Sequence, residues 1–127
     1  MSRPTQATID LQALRDNFTL AQSLATDSQT MPMVKANAYG HGMVEVAQAL
    51  ADLAPAFGVA CIEEALELRD AGICQPILLL EGTFSADEVN TAALKGLWLM
   101  VENHPQKEAV LNADIAQPVN VWLGVDT

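Results

Sequence analysis

Residues 56–80 read AFGVACIEEALELRDAGICQPILLL, and the change of periodicity inside this stretch decides the fold. Ala56 to Ala60 is a short apolar run suited to a strand. Ile62 to Ala71 is built of strong helix formers and carries Glu63, Glu64, Glu67 and Asp70 as an acidic outer face. Gly72 follows as a natural helix stop. Ile77 to Leu80 is aliphatic throughout, as expected of a strand covered on both faces. Strand, helix and strand succeed one another with almost nothing between them.

The alternation continues in both directions. Toward the N-terminus, Leu11, Leu14, Phe18, Ala21 and Leu24 keep helical spacing behind Asp10, a suitable N-cap. Met31 to Lys35 reads as a short buried strand, Ala36 to Gly42 as a glycine-bearing loop, and Met43 to Leu53 as a helix that Pro55 ends. Toward the C-terminus, Ser85-Ala86-Asp87-Glu88 is a capping-box pattern opening a helix that closes near Lys95-Gly96. Leu97 to Val101 is a further strand, Asn103 caps a helix with Pro105 near its start, and Val119 to Val125 is the fifth strand. Five strands separated by helices imply parallel β/α units with right-handed crossovers. A period of about twenty residues matches a (β/α)8 barrel of roughly 250 residues. The expected fold is therefore α/β, a partial (β/α)8 TIM barrel holding about the first five β/α units within residues 1–127. A doubly wound open sheet is the rival.

Composition narrows the function. Of the 127 residues, half are hydrophobic and 17% are charged, which argues against disorder. Sixteen acidic against six basic residues leave a net charge of −10. Such a chain lacks the basic footprint that nucleic acid or an anionic membrane surface requires. Cys61 and Cys74 form no C-x-x-C pair, so free thiols are expected rather than a disulfide framework or a zinc site. The start, Met1-Ser2-Arg3-Pro4-Thr5-Gln6, has no apolar signal core, and runs such as Ile77 to Leu80 are too short to cross a bilayer. The expected location is cytoplasmic.

The chemistry is concentrated in Val34-Lys35-Ala36-Asn37-Ala38-Tyr39-Gly40-His41-Gly42. Lys35 ends an apolar strand, and the C-terminal ends of strands carry the active sites of β/α folds. Desolvation there lowers an amine pKa and frees a nucleophile for imine formation. A solvated surface lysine is the plain alternative. Tyr39 lies four residues on, within reach of the same mouth. Met31 and Met33 share the face of Lys35 by alternation, so Met33 is either a contact of a bound group or core filling. Asn37 and His41 are placed to hold the loop by local hydrogen bonds. His104, beside Pro105, belongs to a helix start.

The nine-residue run Val34 to Gly42 resembles the pyridoxal-phosphate attachment motif of alanine racemases. Ile9-Asp10-Leu11 with Leu14 and Asn17, Phe57-Gly58-Val59-Ala60 with Ile62 to Arg69, Ile77 to Gly82, and Val121-Trp122-Leu123 with Val125-Asp126-Thr127 resemble further segments of that family in order. The resemblance spans the chain but only about the first third of a typical member. It implies a pyridoxal 5'-phosphate barrel followed by a β-rich domain, working as a homodimer on alanine. The implied reaction interconverts L- and D-alanine, supplying D-alanine for peptidoglycan. Lys35 would carry the cofactor and act as acid/base on one face of the substrate. Tyr39 would pack beside the cofactor and help fix its phosphate end, and Leu80 would line the ring pocket unless it is plain barrel core.

Two departures bear on activity. The resemblance assigns a second acid/base to a tyrosine of a later domain, and Tyr39 is the only tyrosine of this chain. Many members also carry a carbamylated lysine in the fifth-strand motif, where this chain has Gly124, so a missing negative charge is expected there. The chain alone is thus expected to be inactive. A non-catalytic truncated cofactor-binding protein and a racemase of broader amino-acid specificity are the other readings.

Overall fold

The computed structural model describes residues 4–127; the first three residues of the Met1–Gln6 start lie outside them. Helix α1, Leu11–Leu24, opens where expected, because the Asp10 side chain accepts the Ala13 N–H at 3.0 Å. A five-residue turn, α2, spans Lys35–Tyr39 and leads into α3, Met43–Leu50. Then β and α alternate: β1 Phe57–Val59, α4 Ile62–Asp70, β2 Ile77–Leu79, α5 Ala86–Lys95, β3 Leu97–Val101, α6 His104–Leu111 and β4 Asn120–Leu123.

The strands form one parallel sheet in the order β1-β2-β3-β4. This strictly sequential order rules out the doubly wound alternative for the stretch, since that topology reverses direction at a switch point. Helices α1, α3, α4, α5 and α6 pack each on the next along the same direction. A sequential parallel arc with its helices in a matching row is the wall of a barrel. Its core lies between sheet and helices: Phe57, Val59, Ile77, Leu79, Leu97 and Leu99 meet Val46, Leu50, Leu68 and Val89, all buried.

The expected strand at Met31 to Lys35 is reduced to a single parallel bridge, Met33 to Gly58. Val34 N–H donates to the Gly58 carbonyl at 2.8 Å and Gly58 N–H to that of Pro32 at 3.0 Å. Pro32 has no N–H to extend the ladder, and the backbone turns away directly after Val34. Lys35 is therefore the first residue of a turn, not the last of a strand. Helix α3 also stops three residues before the expected Leu53, and the fifth-strand run contracts to Asn120–Leu123, all exposed.

The helix starts share a device that corrects two expectations. Ser85 opens α5 without a side-chain hydrogen bond; instead Glu88 accepts the Phe84 N–H at 2.7 Å. Glu64 of α4 likewise accepts the Ala60 N–H at 2.7 Å, and Gln106 of α6 the Glu102 N–H at 2.8 Å. In each case a Glu or Gln in the first helical turn reaches back to the residue before the N-cap and satisfies an otherwise orphaned donor. Glu64 is thus half-buried and engaged with backbone, not part of a solvated acidic face.

Candidate functional site

Strand polarity puts the C-terminal ends of β1–β4 on one rim, and the Lys35 turn lies on that rim beside β1. The turn is left-handed: Ala36, Asn37, Ala38 and Tyr39 all have φ between 51° and 55°. Left-handed helical backbone costs about 1–2 kcal/mol per non-glycine residue, so four in succession need external support. The sequence marked a glycine-bearing loop here, and Gly40 and Gly42 do have φ of 88° and 91°. It did not suggest that four residues with side chains would precede them in the same region.

The support is visible. Ala38 N–H donates to the Val34 carbonyl at 2.9 Å, closing the turn. The Asn37 carbonyl accepts from Gly40 and Gly42, each at 3.0 Å. The Asn37 Oδ1 atom accepts the Met43 N–H at 2.9 Å, capping α3, whose N-cap Gly42 has no side chain to do so. His41 Nδ1 lies 2.9 Å from the Ala38 carbonyl, so His41 and Asn37 hold the loop, as expected. At the front of the turn, Glu64 Oε1 accepts the Ala36 N–H at 2.7 Å.

Lys35 is half-buried, and among the described residues no carboxylate pairs with its amine. Tyr39 is 64% exposed at the far end of the turn. Met33 and Leu80, expected to line the pocket, meet at Gly58: a Cβ there would collide with the Met33 sulfur and lie 3.9 Å from Leu80 Cδ1. The absence of a side chain at 58 makes room for the Met33 thioether over β1, so Met33 and Leu80 form an apolar patch there. Along the same face, register pairs Gly58 with Leu78, Leu78 with Trp98, and Met100 with Trp122. Trp98 and Trp122 lie 5.8 Å apart, ring centre to ring centre.

The gap expected at Gly124 is open: Glu102, Asn103, Gly124, Val125 and Asp126 line a hollow of about 550 Å³. Gly124 N–H donates to Val101 at 3.0 Å, which sets Glu102 opposite it, and a Cβ at 124 would lie 2.6 Å from Glu102 Cγ and 2.9 Å from its Oε1. A carboxylate from the neighbouring strand end therefore borders this hollow, against the position a Cβ would take. Elsewhere, burial pushes the Cys61 thiol up, away from thiolate chemistry. No group of His, Cys, Asp and Glu among the described residues is arranged to hold a metal. No helix among them is long and apolar enough to cross a membrane.

Sequence reasoning missed Glu64 as part of this site. Its signal was present: a Glu three residues after an N-cap is a capping position, although Cys61 is not a usual partner for it. What no pattern carried was the second partner, Ala36, from another β/α unit.

Residues 9–127 match the family described as alanine racemase, N-terminal domain. The catabolic alanine racemase of Pseudomonas aeruginosa is 53% identical over 125 residues, 98% of this chain and 35% of its own length. The crystal structure of the biosynthetic alanine racemase from the same organism superposes with a TM-score of 0.88 at 47% identity, covering 93% of this chain and 33% of that one. A histidine racemase from Leuconostoc mesenteroides superposes with a TM-score of 0.78 at 29% identity, covering 87% and 30%. The chain spans about a third of the length of these relatives. Its fold is the corresponding part of their barrel.

Proposed function

The chain belongs to the alanine racemase N-terminal domain family, and from that premise we propose that residues 1–127 form the cofactor-bearing first part of a pyridoxal-phosphate-dependent alanine racemase. The observation that carries the reading is the Lys35 turn: an amine with no carboxylate partner among the described residues, on the C-terminal rim of a parallel sheet, followed by four residues of supported left-handed backbone. Strain of this kind persists where it serves a site. The residues fit the cofactor, since the rim offers a primary amine at Lys35 and the end of β1 offers apolar side chains at Met33 and Leu80.

Lys35 would hold the group through its amine and then take or return the proton at one face of the alanine α-carbon. Pyridoxal phosphate, when bound, supplies the electron sink that makes that carbon acidic. Tyr39 would lie along the phosphate end, and Met33 and Leu80 would exclude water from the ring side. The second acid/base and the remaining phosphate contacts would come from outside these residues, in a homodimer, so residues 1–127 alone would be inactive. The enzyme would work in the cytoplasm and supply D-alanine for peptidoglycan; the two free cysteines suit that compartment.

Borohydride reduction of the complete protein loaded with pyridoxal phosphate, followed by peptide mapping, should place the label on Lys35. Lys35→Ala should abolish racemisation. A label on Lys95 or Lys107 instead overturns the assignment. The histidine racemase likeness favours a second reading, a racemase of another amino acid on the same barrel. Turnover of histidine above alanine would select it.

A further inference from the structure

We infer that Glu64 is the positioning residue for the Lys35 amine, acting through the peptide bond that follows it. This rests on the reading of Lys35 given above. The two oxygens of Glu64 are divided between two β/α units: Oε2 accepts Ala60 N–H at the end of β1, and Oε1 accepts Ala36 N–H, each at 2.7 Å. Ala36 is the residue directly after Lys35 and the first with positive φ. Its N–H has no carbonyl partner within the turn, because the first donors of any helical turn lack one. Glu64 supplies that partner, and so ties the exit of the Lys35 peptide to the neighbouring strand end.

The chemistry of the clamp matches its partners. Both are donors, so a group that only accepts is required, and a carboxylate makes the stronger charge-assisted bond to each. It also sits in the first turn of α4, where the helix dipole favours negative charge. Gln106 occupies the same position on α6 but faces one donor and one acceptor: Glu102 N–H reaches its Oε1, and its Nε2 donates to the Glu81 carbonyl, both at 2.8 Å. There an amide is the matching group. The charge at position 64 is thus demanded by the second donor, Ala36, and not by barrel construction in general.

The test compares Glu64→Gln with Gln106→Glu in the complete protein, since each breaks one arm of an equivalent clamp. In the cofactor-free state, amide hydrogen exchange at Ala36 or Ala60 should rise roughly tenfold to hundredfold in Glu64→Gln, the loss of one charge-assisted bond. Titration with pyridoxal phosphate should show affinity lowered at least about tenfold, with Gln106→Glu within about twofold of wild type. Glu64→Asp keeps the charge but is one methylene too short to span both amides, and should loosen the same turn if Glu64→Gln fails to fold. Unchanged exchange at both amides overturns the proposal, as does an equal loss of cofactor affinity in Gln106→Glu, which would mark both clamps as structural only. If the wild type takes up no pyridoxal phosphate, the functional reading falls, while the exchange measurement still decides whether Glu64 holds the peptide after Lys35.

Discussion

Replacing Asn37 by alanine removes two supports of the Lys35 turn at once. The first is the Oδ1 acceptor of the Met43 N–H, which caps a helix otherwise begun by glycine; losing such a cap costs about 1 kcal/mol. The second is tolerance of left-handed backbone at φ 55°, which asparagine adopts more readily than alanine by about 1 kcal/mol. Together they make local opening about 2 kcal/mol easier, or about thirtyfold. Asn37→Gly loses the cap without the backbone strain and should open about fivefold more readily. Asn37→Asp keeps both the acceptor and the backbone tolerance, adds a favourable charge at the start of α3, and should stay within about threefold of wild type. The assay is hydrogen–deuterium exchange of the peptide spanning 37–50 in the cofactor-free complete protein, with the Met43 amide as reporter. Less than about a threefold change in Asn37→Ala, or an effect of Asn37→Asp as large as that of alanine, would refute the account of how the turn is held.

Two more expectations concern charge. Gly124→Lys in the complete protein should show no bicarbonate-dependent gain in racemisation while the Glu102 carboxylate borders position 124; a gain appearing with Glu102 intact would show that its carboxylate does not fill the role. The Arg15 guanidinium forks onto Asp52 and holds its carboxyl below the ordinary value of 3.8. A depressed folded-state pKa means that this pair contributes stability above the ordinary carboxylate range and loses it as pH falls through the lowered value. The wild type's advantage over Asp52→Asn in urea midpoint should therefore be flat above about pH 5 and shrink below about pH 4. An advantage that instead grows on acidification would reverse the assignment.

Much of the architecture was legible because it depends on local patterns. Asp10 and Asn103 announce their helices by the hydrogen bonds that their side chains make to the third residue on. Leu97 to Val101 is a strand as read, since its burial alternates against helices on one side only. Where the reading failed, the competing force was non-local or backbone-specific. Pro32 and the reversal after Val34 cut the first strand to one bridge, although its composition is that of a strand. Glu64 looked like one more charge on a solvated helix face, because its partner Ala36 lies 28 positions away.

By itself, the order of apolar runs determined that strands and helices would alternate in short parallel units, because burial periodicity and capping act within a few residues. The run Val34 to Gly42 likewise singled out Lys35 as the candidate site lysine. Only the tertiary structure decided how that lysine is presented. The left-handed course of Ala36 to Tyr39 is unfavourable for those residues alone and exists because Val34, Asn37 and Glu64 supply its hydrogen bonds. The carboxylate beside Gly124 was supplied in the same way, by Glu102 from the neighbouring strand end. Each depends on groups that meet only when separate β/α units are laid side by side, and no spacing within one unit encodes that meeting.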